Sequence, residues 1–186
     1  MTEHTATSAP ARIYVKGQPE DALAARIFET IRSRGAQVGT IHRVLALAPK
    51  MLEVTYAMAI TQRQQTKVDR SLNELMILRT AQVEGGEYEY RAHVPMALAA
   101  GLTQAQIDAL PQWSSSDRFD ARQRAVLGYA EALFARRHVP QDVFDTLARE
   151  LDPQEIVELT MICGFYTMAS RLSCGVDMNP VVFSPE

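Results

Sequence analysis

Cysteine is scarce in this chain: the 186 residues contain two, Cys163 and Cys174. They are eleven positions apart (174 − 163), which matches neither a CxxC redox pair nor the ligand spacing of a metal site. Cys163 lies in the apolar run LTMICGFYTMA, where a thiol usually behaves as a small buried hydrophobic side chain. Nothing nearby in the sequence supplies the positive charge of a reactive thiolate. We therefore predict structural roles for both cysteines.

Several other classes of protein are excluded by what the sequence lacks. Lys and Arg are scattered and the net charge is −3, so the basic face of a nucleic-acid binder is missing. The N-terminus has no basic segment followed by an apolar one, as a secretory signal would. The most apolar stretch, residues 159–169, is much shorter than the ~20 residues of a membrane helix. We expect a soluble cytoplasmic protein with no nucleic-acid or membrane partner.

Motifs that bind metals, phosphates or cofactors are also missing. No set of residues has metal-ligand spacing, and there is neither a Gly-rich phosphate loop nor a Gly-x-Ser-x-Gly nucleophile elbow. We therefore expect no cofactor and no metal.

Helical periodicity runs along almost the whole chain, and strand-like alternation is absent apart from a possible short segment at either end. We predict an all-α fold of about eight helices in one domain, residues 19–186, after a flexible tail at residues 1–18 in which residues 12–16 form a short extended arm. The predicted helices cover residues 20–34, 40–47, 49–64, 69 or 71 to 84, 87–100, 103–110, 117 or 120 to 137, 140–150 and 153–172. Residues 111–116 are predicted to form a loop.

Two residues with acid–base side chains flank a double glycine near the middle of the chain. Glu74 and His93 are 19 positions apart (93 − 74), and Gly85 and Gly86 separate the two helical patterns that carry them. Because the glycines turn the chain back, Glu74 lies about three helical turns before the break and His93 about two turns after it. We predict that the two side chains meet on facing helices, within hydrogen-bond reach directly or through one water.

Glu74 shares its helix face with core residues, with Arg70 one turn before it. A buried carboxylate there would have a raised pKa that suits proton transfer, whereas an ion pair with Arg70 at the helix edge is the structural alternative. His93 also has apolar neighbours on its face, and a single histidine in such a place is often a core residue without catalytic function. Glu89, one turn before His93, is in a position to hold one ring nitrogen and leave the other free to move a proton.

Glu89 allows two interpretations that the sequence leaves open. Two carboxylates near one histidine would push one of them toward the protonated form, which suits acid–base chemistry. Alternatively, Glu89 in the first turn of its helix simply interacts with the positive end of the helix dipole. Pro95, inside the same helix, is expected to kink it and open room for a small ligand. Candidate pocket residues are Leu78, Tyr88, Tyr90 and Met96, although aromatic residues in an apolar helix are more often core.

The segment NELMILRTAQVEGGEYEYRAHVPMALAAGLTQAQIDAL, residues 73–110, resembles the core motif of the carboxymuconolactone decarboxylase family and its AhpD-like alkyl hydroperoxidase branch. That branch has a glutamate, a CxxC pair and a histidine in this order. Glu74 and His93 match its glutamate and histidine, while Gly86 and Glu89 occupy the two cysteine positions. A carboxylate forms neither a sulfenic acid nor a disulfide, so the resemblance implies that the acid–base pair is kept and the thiol cycle is lost.

The resemblance implies an AhpD-like helical bundle, an assembly into trimers, hexamers or other homo-oligomers, and a small-molecule substrate. The leading hypothesis is an acid–base enzyme, related to carboxy-lyases, that decarboxylates or moves a proton on a small organic acid, lactone or enol. In it His93 is the general acid or base, Glu74 orients it, and Glu89 is an auxiliary carboxylate. The alternatives are a peroxidase-related antioxidant protein that uses Cys163 or Cys174, and a non-catalytic oligomeric protein that binds a small molecule. The apolar residues 75–78 predict a helix covered on several sides, in part by another subunit.

Overall fold

The fold is helical throughout the described part of the chain. A computed structural model describes residues 12–135 and 138–178. In these residues the α-helices, with one 3₁₀ helix at Leu110–Ser115, are α1 Ala22–Ser33, α2 Thr40–Leu45, α3 Pro49–Gln64, α4 Arg70–Glu84, α5 Glu87–Ala99, α6 Gln104–Ala109, α7 Ala121–Ala135, α8 Gln141–Glu150 and α9 Pro153–Val176. The predicted all-α fold of about eight helices is confirmed.

The described residues form two compact units, 12–58 with 175–178 and 59–135 with 138–174. Most of the predicted tail, residues 1–11, lies outside the described residues. Of the remainder, Val15 is buried, and the boundary at residue 18 stays a prediction. None of the helices in the described ranges is long and apolar enough to cross a membrane.

The first unit is organised around α1. Asp21 caps this helix by accepting hydrogen bonds from the backbone amides of Leu23 and Ala24. Helical spacing predicts a stripe of Leu23, Ile27, Phe28 and Ile31; the last three are buried, whereas Leu23 is half-buried and Ala24 is buried instead. The guanidinium groups of Arg32 and Arg43 each lie 5.9 Å from the centre of the Phe28 ring, within the range of a cation–π interaction.

In the second unit, α4 is the central helix and packs against α5 and α7. Residues 75–78 are all 0% exposed in the single chain. The chain itself therefore buries the apolar surface of α4 that was expected to lie partly against another subunit. This reason for expecting an oligomer is wrong.

The turn between α4 and α5 is formed by the double glycine, as the sequence predicts. Gly85 has φ +70°, a left-handed conformation that glycine adopts without strain, and its amide donates to the carbonyls of Ala81 and Gln82. The amide of Gly86 also reaches the Ala81 carbonyl, at 2.8 Å. The two helices therefore reverse direction within two residues. Helix α5 then continues unbroken through Pro95 to Ala99.

Two other predicted boundaries can be compared with the structure. Thr103 and Gln106 form the predicted capping box at the start of α6. The predicted loop at residues 111–116 is wrong, because Leu110–Ser115 is a 3₁₀ helix with proline in its first turn. Proline already has the backbone conformation that the first turn of a helix requires. The proline that indicated a loop therefore begins a helical turn instead.

Helix α9 holds the entry to α4 in place. The backbone amides of Lys67 and Val68, between α3 and α4, donate to the carboxylate of Glu158 at 2.8 and 2.9 Å. The side-chain amide of Asn73 donates to the Gln62 carbonyl at 2.6 Å. These bonds fix the start of α4, the helix that carries Glu74.

Candidate active site

Glu74 is completely buried and has a partner for each carboxylate oxygen. Its exposed fraction is 0%, one oxygen accepts a hydrogen bond from the Arg70 guanidinium, and the other lies 2.7 Å from Nδ1 of His93. Both readings of the sequence therefore apply to this residue, since the carboxylate is buried among core residues and is paired with Arg70. The predicted contact between Glu74 and His93 is confirmed.

The surroundings of His93 favour its neutral form. The imidazole is 2% exposed, and this burial lowers its pKa. The hydrogen bond that His93 donates to Glu74 acts in the opposite direction, while the guanidinium charges of Arg63 and Arg70 reinforce the lowering. A neutral imidazole that donates its Nδ1 proton to Glu74 has a lone pair on Nε2. This nitrogen is therefore the candidate base of the site.

Tyr166 of α9 packs against the same imidazole. The two ring centres are 4.7 Å apart and the rings meet edge to face at 83°. Tyr166 is 2% exposed, and burial raises the pKa of its phenol to about 12. The phenol therefore stays protonated at neutral pH, although the nearby Arg63 guanidinium partly opposes the rise of its pKa.

Glu89 is buried without the partner that was predicted for it. It is 3% exposed, and its Oε1 has no hydrogen-bond partner. The idea that Glu89 fixes the histidine tautomer is wrong, because Glu74 occupies Nδ1 of His93. Burial raises the pKa of Glu89 to about 7, and the Arg63 charge only partly opposes this. A carboxyl group with this pKa is about half protonated at pH 7, and the cause is burial rather than the neighbouring carboxylate that the sequence interpretation invoked.

Arg63 and Tyr166 are members of this cluster that the sequence reasoning missed. Arg63 lies near the end of α3, and its charge acts on Glu89, His93 and Tyr166. In the sequence it is one cation among many. Tyr166 belongs to the run Phe165-Tyr166-x-Met168, which contributes to the family resemblance, but no spacing rule joins it to His93, 73 positions earlier (166 − 93).

The positions that match the thiol pair of the AhpD-like branch are closed in this chain. A Cβ atom built on Gly86 would lie 2.3 Å from Oγ and 2.6 Å from Cβ of Ser170 on α9. Glu89 fills the other position. Cys163 is buried against the Thr80 hydroxyl and has a raised pKa because of that burial, as expected of a structural thiol. Cys174 is exposed, with its Sγ 3.5 Å from the Gly85 carbonyl.

The predicted pocket residues do not share one pocket. Tyr90 lines a cavity of about 200 Å³ beside the glycine turn, together with Ala81, Gln82, Gly85, Gly86 and Glu87. Leu78 is fully buried in the core, and Tyr88 and Met96 are half-buried and do not line this cavity. Glu74, Glu89 and His93 are not among its lining residues either.

A metal has no evident place in the described part of the chain, where no group of three or more His, Cys, Asp or Glu side chains is suitably placed. The candidate site is therefore built from acid, base and cation side chains of the protein. They come from α3, α4, α5 and α9.

Comparisons with known proteins give a family match for part of the chain. The sequence model of the carboxymuconolactone decarboxylase family matches residues 49–132, a range that includes Arg63, Glu74, Glu89 and His93 but not Tyr166.

Three solved structures have the same fold at low sequence identity. An uncharacterized peroxidase-related protein from Silicibacter sp. TM1040 is 16% identical, covers 95% of this chain and 94% of its own, and gives a TM-score of 0.79. An alkylhydroperoxidase AhpD core protein from Ralstonia eutropha JMP134, also described as peroxidase-related, is 20% identical over 93% of this chain and 94% of its own, with a TM-score of 0.77. The debrominase Bmp8, in complex with 2,3,4-tribromopyrrole, is 17% identical over 86% of this chain and 88% of its own, with a TM-score of 0.71. The chain is therefore similar to the carboxymuconolactone decarboxylase family over residues 49–132 and shares its fold with these AhpD-like structures.

Proposed function

We propose that the protein is an acid–base enzyme that decarboxylates, or transfers a proton on, a small organic acid or lactone. The observation that carries the proposal is the buried 2.7 Å contact between Glu74 and Nδ1 of His93. The contact orients the His93 imidazole through Nδ1 and leaves Nε2 available for a substrate. Both side chains are buried, so neither serves as an ordinary polar group of the protein surface. The family match and the small cyclic ligand of the Bmp8 structure support a small organic substrate.

In the proposed reaction His93 moves the proton. Its Nε2 removes a proton from the substrate, either from carbon or from a carboxylic acid, and becomes an imidazolium that Glu74 stabilises. In a decarboxylation the carbon–carbon bond to the carboxylate then breaks, and its electrons pass into a neighbouring carbonyl of the substrate. The imidazolium returns the proton to carbon, so that an acid yields carbon dioxide and the protonated product. Arg70 forms an ion pair with Glu74 on the other carboxylate oxygen.

The decisive test is deuterium incorporation from solvent. A panel of cyclic carboxylic acids and lactones is incubated with the protein in deuterated water, and nuclear magnetic resonance follows carbon-bound deuterium and loss of the carboxyl carbon. We expect His93→Gln to lower the rate on any active compound by about 100-fold or more, because positioned general acid–base catalysis contributes that much. His138→Gln changes an exposed histidine and is the matched control. Equal rates in the wild type and His93→Gln would refute the proposal.

A peroxidase-related antioxidant protein is the second candidate, supported by the fold shared with the peroxidase-related proteins. It predicts turnover of alkyl hydroperoxides that depends on Cys163 or Cys174, since Gly86 and Glu89 supply no sulfur. Peroxide turnover that is lost in Cys163→Ser or Cys174→Ser would favour it over acid–base chemistry. Ligand binding with no turnover in either assay would favour the third candidate, a non-catalytic binding protein.

We also propose that the protein assembles as a homo-oligomer, a trimer or a hexamer. The support for an oligomer comes from α9 rather than from α4. On α9 the apolar side chains of Val157, Met161 and Met168 are 61%, 53% and 44% exposed. Their spacing of four and seven residues puts them on one face of the helix. An apolar face of this kind is typical of a surface that another chain covers.

A further inference from the structure

The cluster around His93 contains buried polar atoms that the acid–base pair leaves unused. Oε1 of Glu89, Nε of Arg63, Nη1 of Arg70 and Oγ of Ser170 are all buried without a hydrogen-bond partner. A buried polar atom without a partner is costly, so several in one place indicate a group that is bound in the working protein.

Two helix contacts place Ser170 and Glu89 on the same interface. Gly86 of α5 touches Ser170 of α9, and His93 of α5 packs on Tyr166 of α9. Glu89 is one turn after Gly86 and one turn before His93, so it lies between these two contacts on the same face of α5. Arg63, on α3, is close enough for its charge to act on both Glu89 and Tyr166. Glu89 and Ser170 therefore lie along one α5–α9 interface, with the charge of Arg63 beside it.

The charges of the cluster decide which kind of group fits. Arg63 and Arg70 contribute two positive charges, and Glu74 contributes one negative charge that Arg70 already pairs. No carboxylate of the described residues forms an ion pair with Arg63. His93 and Tyr166 are neutral near pH 7, as follows from the lowered pKa of one and the raised pKa of the other. With Glu89 protonated the cluster has one uncompensated positive charge, and every unpartnered group on it is able to donate a hydrogen bond.

We infer that Arg63, with the Glu89 carboxyl and the Ser170 hydroxyl, binds one carboxylate group of a small ligand beside His93. Arg63 supplies the charge and the directed N–H, as guanidinium groups do for carboxylates elsewhere. Glu89 supplies a proton donor in its neutral form. The site deepens the proposed function, because it names a carboxylate anion as the substrate and places that anion beside the candidate base. Binding of the anion, however, can be measured without turnover.

The same geometry predicts that the anion binds together with a proton. An ionised Glu89 would itself neutralise Arg63 and repel a second carboxylate. The groups that face Glu89 are Arg63 from α3, Glu74 and Arg70 from α4, His93 from its own helix and Tyr166 from α9. Among them Glu89 is the one whose pKa lies near 7. Above that pKa, affinity for a carboxylate is expected to fall about tenfold for each pH unit.

The test is calorimetric titration of the purified protein with acetate, propionate and benzoate, each compared with its neutral amide. We expect the acids to bind and the amides to bind at least about tenfold more weakly, because the amide lacks the charge that Arg63 recognises. Arg63→Gln should remove this preference. Arg91→Gln removes an equal charge from an exposed position on α5 and should keep it. Amides that bind as well as acids, or an Arg91→Gln variant as weak as Arg63→Gln, would overturn the inference.

Glu89→Gln provides a second, nearly isosteric test should Arg63→Gln fail to fold. The wild type is expected to lose about 50-fold in affinity for benzoate between about pH 7, where Glu89 is already half ionised, and about pH 9, whereas Glu89→Gln should bind equally across that range. An identical pH dependence in both proteins would contradict the site. If carboxylates bind as expected and no compound exchanges deuterium, the anion site stands and the catalytic proposal fails.

Discussion

At the scale of single residues, the titration of Glu89 is the property with the largest measurable effect. Its pKa rises from the ordinary 4.5 to about 7 on folding, because burial disfavours the charged form. The folded protein therefore holds this proton more tightly than the unfolded chain does. Stability from this group is fully present below about pH 4.5 and is lost as the pH rises toward 7.

We predict that Glu89→Gln makes the protein more stable than the wild type above pH 7, by up to about 3 kcal/mol, from a shift of about 2.5 units at 1.36 kcal/mol each. The measurement is the free energy of unfolding in urea for both proteins at several pH values. The difference should grow from pH 5 to pH 7 and then level off. Glu87→Gln, which changes an exposed carboxylate on the same helix, should show no such trend. A difference that is independent of pH would show that Glu89 is ionised in the folded state.

The acid–base pair itself could be predicted from the sequence, because a double glycine and helical spacing are local signals. Glu74 and His93 were expected to meet on this basis, and they lie 2.7 Å apart. The partner of Glu89 could not be predicted in this way. Whether its carboxyl group meets His93, Arg63 or no group depends on rotamers and on a helix from another part of the chain.

At the scale of helices, the α4–α5 turn and its contact with α9 impose two different demands on two adjacent glycines. Gly85 needs its left-handed φ of +70°, but a Cβ atom there would meet no neighbour. Gly86 has a φ of −78°, which any residue adopts, but its Cβ would overlap Ser170. One glycine is required by conformation and the other by packing.

We predict that Gly85→Ala destabilises the protein by about 1 kcal/mol through backbone strain, and that Gly86→Ala costs about 1 to 3 kcal/mol through overpacking. Adding Ser170→Gly should restore much of the loss in the Gly86→Ala protein, because it removes Oγ and Cβ, the two nearest of the three atoms that the new methyl group meets, and leaves only Cα, at 3.3 Å. It should not rescue Gly85→Ala. Thermal unfolding of the two single variants and the two double variants measures this; equal rescue in both backgrounds would contradict the contact.

Helix boundaries were predictable where a cap or a glycine marks them, as at Thr103 and Gly85. The 3₁₀ helix at Leu110–Ser115 was missed, because proline and serine are equally frequent in loops and in first helical turns. The cover of α4 was also misjudged. Periodicity shows how much of a helix is apolar, but not whether the same chain or another one buries it.

At the scale of the whole molecule, the proposed property to test is the oligomeric state in solution. We predict a trimer or a hexamer by light scattering, with a mass that is constant across micromolar concentrations. Met161→Glu should lower this mass, because a charge in an apolar contact is costly to bury. Thr146→Glu adds the same charge at an exposed position of α8 and should leave the mass unchanged. A wild-type protein that is monomeric throughout would remove the basis for the assembly.

The contact between Gly86 and Ser170 also constrains how this chain and its thiol-bearing relatives can be interconverted. The two residues are 84 positions apart (170 − 86), and Ser170 lies beyond the residues that the family model matches. A mutation of Gly86 to Cys by itself would force the new side chain into α9. A mutational route to the thiol pair must therefore open α9 first, and a change on one helix becomes tolerable only after a change on the other. The order of the two steps is therefore fixed by the packing of Gly86 against Ser170.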